Sequence, residues 1–353
     1  LNTRVNIPRF KMNDGREIQA LAFGTWMGLS DTVSTQQLIE HFTFQFELDM
    51  GDVKKLVEAL DYAIDVGYRN IDTAHVYRVE PEVGQVINKK IKEGVIKREE
   101  IFVTTKVWHH FHREADVEVA ARGSLRRLNL EYVDMLLMHW PFSISQEGVD
   151  EKIDYLETWR GFENVQRMGL AKSIGVSNFN VAQLKRLLEN CKVPPACNQI
   201  EINLNLGQEE LVKYCQTNNI LVTGYSPFGT MIPSRSPPDS PEPKLNNPVL
   251  VGIAKKHGKT VSQIALRYYF ERGILSLPKT VTKTRVIENA SIFDFALDKS
   301  DVAALKQFDN GYRTVRPIFW QPYQNYPFEK VDQKMEIPSS LLKWKNGANL
   351  DID

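Results

Sequence analysis

The chain has 353 residues, of which 42% are hydrophobic and 25% charged, a composition typical of a globular protein that buries a large core. Its 44 lysines and arginines balance 44 aspartates and glutamates, so charge gives no reason to expect nucleic acid or an anionic membrane as a partner. No apolar run is long enough to span a membrane, and residues 1–20 have no secretory pattern. The three cysteines lack metal-site spacing, so we expect a reduced, cytoplasmic protein without a bound metal.

The predicted elements begin with a β-hairpin, in which residues 4–7 and 16–18 flank the turn signal Asn13-Asp14-Gly15. Short apolar strands then alternate with segments of helical period, such as the apolar stripe that begins at Val53 and Leu56. The predicted strands are residues 20–23, 70–71, 102–105, 135–138, 173–176, 197–200, 221–223 and 275–277. Eight strands that alternate with helices predict a (β/α)8 TIM barrel with long loops on its C-terminal face.

Three stretches depart from this rhythm. Residues 28–51 form an insertion after the first strand, and its period-two apolar pattern leads us to expect that Phe42, Phe44 and Phe46 help to cover a substrate. Residues 228–248 are rich in proline and serine and are predicted to form a long loop. Aromatic residues follow Gly311. We expect one domain over residues 1–330 and a separate C-terminal extension over 331–353.

Polar residues stand at the carboxyl ends of the predicted strands, where α/β barrels place their chemistry. Asp72, Lys106 and His139 each end a strand, and Tyr77 follows Asp72 by five residues. Taken singly, each has an ordinary interpretation: a helix cap for the acid, a core position for the phenol, and solvated loops for the amine and the imidazole. Their joint occurrence instead predicts a proton-transfer site.

The motifs at these strand ends resemble those of the aldo-keto reductase superfamily, of the aldose and aldehyde reductase type. They are Gly67-Tyr68-Arg69-Asn70-Ile71-Asp72-Thr73-Ala74-His75-Val76-Tyr77, Thr105-Lys106-Val107-Trp108, Leu137-Met138-His139-Trp140-Pro141, Ser173-Ile174-Gly175-Val176-Ser177-Asn178-Phe179, Asn198-Gln199-Ile200-Glu201, Gly224-Tyr225-Ser226-Pro227 and Pro278-Lys279-Thr280. The style of the sequence, above all the loop at 233–243, resembles arthropod members, some of which reduce 3-dehydroecdysone or other keto-steroids. The resemblance implies a carbonyl reductase, which we expect to be a monomer acting on a small carbonyl substrate.

The resemblance implies that four residues carry the reaction, and simple chemistry agrees. Tyr77 is the expected proton donor, although a free phenol with a pKa of about 10 is a reluctant acid. An ammonium at Lys106, held by Asp72, is expected to lower that pKa, and His139 is expected to orient the substrate oxygen. Members that reduce steroid C=C bonds have Glu at the position of His139, so His139 favours carbonyl chemistry.

The hydride source implied by the resemblance is NADPH, with NADP+ as the product. The sequence has no Gly-x-Gly-x-x-Gly fingerprint, and its absence weighs against a Rossmann domain and suits a barrel. By resemblance, Tyr225 stacks on the nicotinamide, and Ser177, Asn178 and Gln199 bind its carboxamide. Lys279 and Arg285 match family positions that bind the 2′-phosphate of the cofactor, and two cations near one phosphate favour NADPH over NADH. The other expected cofactor residues are Gly24, Thr25, Trp26, Ser226, Pro227, Phe228, Gly229, Thr280, Glu288 and Asn289.

An aromatic substrate pocket is also implied, and it suits an apolar aldehyde or a flat polycyclic ketone better than a sugar. Besides Tyr77 and His139, its expected residues are Trp26, Trp108, Trp140, Phe319 and Trp320. His109, His110 and His112 lie beside it in sequence, and we interpret them as a solvated loop rather than a metal site. The alternative function is a non-catalytic protein that binds NADP(H) on a reductase scaffold.

Overall fold

The computed structural model describes residues 4–27, 50–232 and 236–337. Its centre is an eight-stranded parallel sheet in which each strand pairs with the next one along the chain. These strands are β3 (Phe23–Gly24), β4 (Asn70–Asp72), β5 (Phe102–Val107), β6 (Val133–Met138), β7 (Ala171–Ser177), β8 (Cys197–Glu201), β9 (Leu221–Tyr225) and β10 (Ile274–Ser276). All eight predicted strands are present, although the first, predicted over residues 20–23, overlaps β3 only at Phe23.

The sheet closes on itself between its first and last strands. Leu21 forms a parallel bridge with Ser276. The Ala22 amide donates to the Ser276 carbonyl at 3.0 Å, and the Gly24 amide donates to the Pro278 carbonyl at 3.2 Å. Closure removes the exposed sheet edge and makes the predicted (β/α)8 barrel.

The amino-terminal hairpin is confirmed, but the predicted first strand is wrong. β1 (Arg9–Lys11) pairs antiparallel with β2 (Glu17–Gln19), whereas residues 4–7 lie outside this ladder. The turn ends with Gly15 at a φ of 84°, and the Met12 amide donates to the Arg16 carbonyl. Such a tight turn pairs the residues immediately on either side of it, which are 9–11 and not 4–7.

Helices cover the outside of the barrel. They are α1 (Met50–Val66), α2 (Glu80–Lys92), α3 (Glu114–Leu128), α4 (Tyr155–Arg167), α5 (Val181–Asn190), α6 (Glu209–Thr217), α7 (Pro248–His257), α8 (Val261–Glu271), α9 (Lys283–Ala290) and α10 (Lys299–Lys306). The predicted stripe on α1 is buried, with Leu56, Leu60 and Ile64 almost fully removed from solvent. Burial of such stripes against the strands supplies the main stabilising force of the fold.

The carboxyl ends of the barrel strands lead into the long segments that form the site. After α10, the chain crosses this end of the barrel, and its short 3₁₀ helix Ile318–Trp320 is buried. We call residues 311–337 the tail. The expectation for Phe42, Phe44 and Phe46 concerns residues outside those that the structure describes. Over the described ranges, none of the helices combines the length and apolarity that a membrane crossing needs.

Candidate active site

Two short elements place an acid and a phenol side by side. Asp72 is the last residue of β4, and Tyr77 ends the 3₁₀ helix His75–Tyr77 that follows. Arg78 then adopts a left-handed conformation with a φ of 56°, which turns the chain into α2. Thr25, at the end of β3, donates from its hydroxyl to the Asp72 carbonyl at 2.9 Å and so fixes the backbone there.

Lys106 joins these two groups from the neighbouring strand. Its buried ammonium donates to Asp72 Oδ1 at 2.6 Å, to the Thr73 carbonyl at 2.9 Å and to the Tyr77 hydroxyl at 3.2 Å. The second carboxylate oxygen of Asp72 accepts from Gln199 Nε2 at 2.8 Å. The structure thus brings three of the four predicted catalytic side chains into direct contact.

Burial and neighbouring charges shift the pKa values of Lys106 and Tyr77 in opposite directions. Burial alone would lower the pKa of Lys106, but Asp72 and the hydrogen bonds to Asp72 and Tyr77 raise it overall, so the side chain remains an ammonium. For Tyr77, burial raises the pKa more than Lys106 lowers it. Lys106 thus lowers the Tyr77 pKa in the expected sense, but the net shift is upward because loss of hydration penalises the phenolate more than one ammonium compensates. At neutral pH the residue is a phenol that can donate its proton.

His139 lies at the end of β6, across from the phenol. Its ring meets that of Tyr77 edge to face with centroids 6.0 Å apart, and meets that of Trp108 at 5.2 Å. Burial, followed by the charge of Lys106, holds the pKa of His139 well below its usual range. The imidazole is therefore neutral and carries one N–H that can donate to a substrate oxygen.

A row of polar side chains continues around the barrel from His139. Ser177 and Gln199 are register partners on adjacent strands, and the Ser177 hydroxyl donates to the Gln199 carbonyl at 2.8 Å. Asn178 has a φ of 60°. Its side-chain Nδ2 donates to the His139 carbonyl at 3.0 Å, and its side-chain Oδ1 accepts from the Tyr225 hydroxyl at 2.7 Å. The four residues expected at the nicotinamide are thus contiguous with the residues predicted to be catalytic.

The remaining predicted cofactor positions follow the last two barrel strands. The Asn203 side chain lies where a Cβ on Gly229 would approach it to 2.6 Å, which explains a glycine there. Lys279 and the buried Thr280 come after β10, and Arg285 is exposed on the first turns of α9. Ser226, Pro227 and Phe228 link β9 to Gly229, and Glu288 and Asn289 lie on α9. Gly24, the last residue of β3, lies beside the end of β10, where its amide donates to the Pro278 carbonyl. Trp26 follows β3 and is 46% exposed at the rim.

The predicted pocket aromatics pack together next to His139. We call Trp108, His109, Trp140, Phe142, Phe319 and Trp320 the aromatic cluster. Trp320 comes from the tail, and its ring centroid lies 6.0 Å from that of Trp108 and 5.6 Å from that of Trp140. All of the cluster is buried. Trp26 lies at the rim, apart from the aromatic cluster, with its ring centroid 6.5 Å from that of Tyr77.

The interpretation of the neighbouring histidines as a solvated loop is wrong. His109 and His112 are 1% and 0% exposed, and His110 is partly buried. The ring centroid of His109 lies 5.0 Å from that of Phe142, on which it stacks, and 4.5 Å from that of Trp320. His109 is therefore part of the aromatic cluster, although the sequence did not indicate this. Across the described ranges, His, Cys, Asp and Glu side chains form no group of three that could hold a metal ion.

Glu201 connects the tail to the barrel. This fully buried carboxylate accepts from the Thr314 amide at 2.8 Å, the Thr314 hydroxyl at 2.5 Å, the Val315 amide at 3.0 Å and Asn203 Nδ2 at 3.0 Å. Sequence reasoning placed Glu201 in a motif but gave it no role, since its partners in the tail lie 113 and 114 positions away.

Known proteins show the same architecture. The sequence model of the Aldo/keto reductase family matches residues 43–310. Aldo-keto reductase AKR2E4 of Bombyx mori is 40% identical over 92% of this chain and 99% of its own length. Aldo-keto reductase family 1 member C18 of Rattus norvegicus is 37% identical over 91% of this chain and 98% of its own length.

Solved structures agree with the sequence matches. The crystal structure of aldo-keto reductase AKR2E5 complexed with NADPH is 63% identical, covers 98% of this chain and 100% of its own, and superposes with a TM-score of 0.90. That of Bombyx mori AKR2E4 in complex with NADP is 39% identical, with a TM-score of 0.84, over 92% of this chain and 100% of its own. The barrel, the strand-end motifs and these matches together confirm the resemblance: the chain belongs to the aldo/keto reductase family.

Proposed function

We propose that this protein reduces an aldehyde or ketone to an alcohol with NADPH, and that Tyr77 is the proton donor. The observation that carries this proposal is the contact of the Tyr77 hydroxyl with an ammonium that is itself held by a buried carboxylate, 3.2 Å from Lys106 Nζ. A phenol in this position can give up its proton because the resulting phenolate is stabilised by the adjacent positive charge.

Each residue of the group has a distinct part. Tyr77 transfers its hydroxyl proton to the substrate oxygen as negative charge develops there. Lys106 stabilises the phenolate, and Asp72 keeps Lys106 charged and in place. The neutral imidazole of His139 donates a hydrogen bond to the same substrate oxygen and orients the carbonyl. NADPH, when bound, supplies the hydride.

The residues present fit that cofactor. Ser177, Asn178 and Gln199 offer hydroxyl and amide groups suited to a carboxamide, and the Tyr225 ring offers a flat face for stacking. Lys279 directly precedes the buried Thr280, and Arg285 follows on the first turn of α9, a donor set that suits a phosphate. Two relatives were crystallised with NADPH or NADP, which supports the same assignment here.

For the substrate, we propose a polycyclic ketone such as a 3-oxo-steroid, including 3-dehydroecdysone. The buried aromatic cluster presents flat apolar faces beside His139, which favours a polycyclic ring system. One relative, 34% identical, is named as a 3-alpha-hydroxysteroid dehydrogenase of Rattus norvegicus. Small aromatic aldehydes are the second candidate, because a single flat ring also matches these walls.

We place the protein in the cytoplasm as a monomer, consistent with its three free cysteines.

The test follows NADPH absorbance during incubation with an aromatic aldehyde and, separately, with a 3-oxo-steroid. Oxidation of NADPH that depends on the carbonyl compound is expected, with the higher kcat/KM for the steroid. A higher value for the aldehyde would favour the second candidate. Tight binding of NADPH without oxidation by either class would reject the reductase and leave the non-catalytic NADP(H)-binding alternative.

A further inference from the structure

Glu80 is a buried acid to which the proposed reaction gives no role. It is 1% exposed, and both of its carboxylate oxygens are used. One accepts from the Thr105 hydroxyl at 2.5 Å, and the other accepts from Arg127 Nε at 2.7 Å. A carboxylate held at this depth by one hydroxyl and one guanidinium is costly to bury, so its retention calls for a structural or functional reason.

The two segments that Glu80 joins are those that carry the proton donor and its ammonium. Glu80 is the first residue of α2, three positions after Tyr77. Thr105 directly precedes Lys106 on β5. Because side chains alternate along a strand, Lys106 faces the inside of the barrel while Thr105 faces the helices outside. The hydrogen bond outside the barrel therefore connects the backbones on either side of the Tyr77–Lys106 contact.

Glu80 is held on its other side by Arg127 of α3, and α2 itself packs against α3. α2 approaches the end of α3 so closely that a Cβ on Gly84 would lie 2.2 Å from the Leu128 carbonyl oxygen. Asn88 Nδ2 also donates to the Leu128 carbonyl at 3.1 Å and to the Asn129 carbonyl at 3.2 Å. Because α2 is packed tightly against α3, Glu80 cannot move far relative to Thr105.

We propose that Glu80 is a positioning residue, which holds the segment of Tyr77 against the strand of Lys106 and so sets the distance between the phenol and the ammonium. Thr105 is its contact on the strand, and Arg127 neutralises its charge. This inference rests on the proposed function of Tyr77 and Lys106. It goes beyond that function because it places a control of the catalytic geometry outside the barrel.

The test uses Thr105→Val, which removes the hydroxyl but keeps the shape of the side chain and leaves the Glu80–Arg127 pair intact. We expect kcat to fall about tenfold, since small displacements of reacting groups have large effects on rate, while the dissociation constant of NADPH changes less than twofold. Thr105→Ser retains a hydroxyl and is expected to recover most of the rate. The matched control is Thr223→Val, since the Thr223 hydroxyl is buried without a hydrogen-bond partner among the described residues.

A second readout needs no turnover. The titration of the Tyr77 hydroxyl is followed by NMR of 13Cζ-labelled tyrosine and assigned by its loss in Tyr77→Phe. In Thr105→Val, a looser contact with Lys106 should move this titration to higher pH by more than the change in Thr223→Val. A Thr105→Val protein with unchanged kcat and unchanged Tyr77 titration would overturn the inference, as would equal losses in the Val and Ser variants. If the wild type fails to reduce carbonyls yet the titration shifts, the positioning role stands and the proposed function fails.

Discussion

Gln199 donates a hydrogen bond to the Asp72 carboxylate at 2.8 Å, and Lys106 occupies the other oxygen of the same carboxylate. A residue expected at the nicotinamide and a residue expected to support proton transfer are thus in direct contact. Asp72 is in this way fixed from two strands, β5 and β8, and its position does not depend on the salt bridge alone. The ammonium of Lys106 consequently has one defined place beneath the phenol.

Replacing Lys106 with Met is expected to lower kcat by about 10²–10⁴-fold, because the phenolate left after proton transfer loses its stabilising charge. The alkaline limb of the pH profile should move to higher pH, since nothing then opposes the effect of burial on the Tyr77 pKa. Steady-state kinetics over a range of pH measures both effects, and a fluorescence titration with NADPH checks that the cofactor still binds. Circular dichroism controls for folding, because the variant leaves a buried carboxylate without its cation. A variant with the wild-type rate would show that the ammonium is not needed.

The pH dependence of reduction follows from the two perturbed groups. Reduction needs the protonated phenol, and the pKa of Tyr77 is raised above its usual 10.0, so the rate should fall only as pH rises beyond that value. The pKa of His139 lies well below its usual 6.5, so the neutral imidazole should persist through mildly acidic pH. Measured kcat should therefore be nearly flat from pH 6.5 to 9. An acid limb near 6.5 that disappears in His139→Gln would contradict this account.

The buried position of His109 has a consequence for stability. His109→Ala should lower the free energy of unfolding by about 2–4 kcal/mol, because it leaves a cavity between Phe142 and Trp320. His109→Phe keeps a flat ring in the stack and should retain most of the stability. Denaturant unfolding of both variants measures the difference. Equal stability of the Ala variant and the wild type would mean that the side chain is solvated, as the sequence alone suggested.

Glu201 is expected to control the tail that carries Trp320. In Glu201→Gln, one carboxylate oxygen becomes an NH2 group that faces the donors of Thr314 and Val315, which weakens the attachment of the tail. KM for a bulky 3-oxo-steroid should rise several-fold, and KM for a small aldehyde should change less. The exposed Glu336 on the same tail offers Glu336→Gln as the control. Parallel changes in both substrates would argue against a specific effect of the tail on the pocket.

The sequence predicts much of this fold because its signals are local. A buried strand that ends in Asp72, Lys106 or His139 can be read from a few neighbouring residues, and eight such strands predict the barrel. The hairpin shows the limit of this reading: residues 4–7 have the pattern of a strand, but the tight turn at Gly15 selects residues 9–11 for pairing.

Features that depend on distant partners could not be predicted. His109 is buried by Phe142 and by Trp320, which lies more than 200 positions away, so its own segment gives no sign of burial. The sequence around Glu80 and Glu201 likewise gives no sign of their partners, and their roles emerge only from contacts made across the fold. The net upward shift of the Tyr77 pKa could not be predicted for the same reason, because burial of the phenol depends on the whole site.

The most direct measurement compares Tyr77→Phe with the wild type for binding of NADPH and for reduction of a carbonyl substrate. The substitution removes one hydroxyl and keeps the ring, so the dissociation constant of NADPH should stay within about twofold while kcat falls by about 10²–10⁴-fold. Retained binding with that loss of rate is the result we predict. Retained binding with an undiminished rate would show that the proton comes from another group and would contradict the central claim.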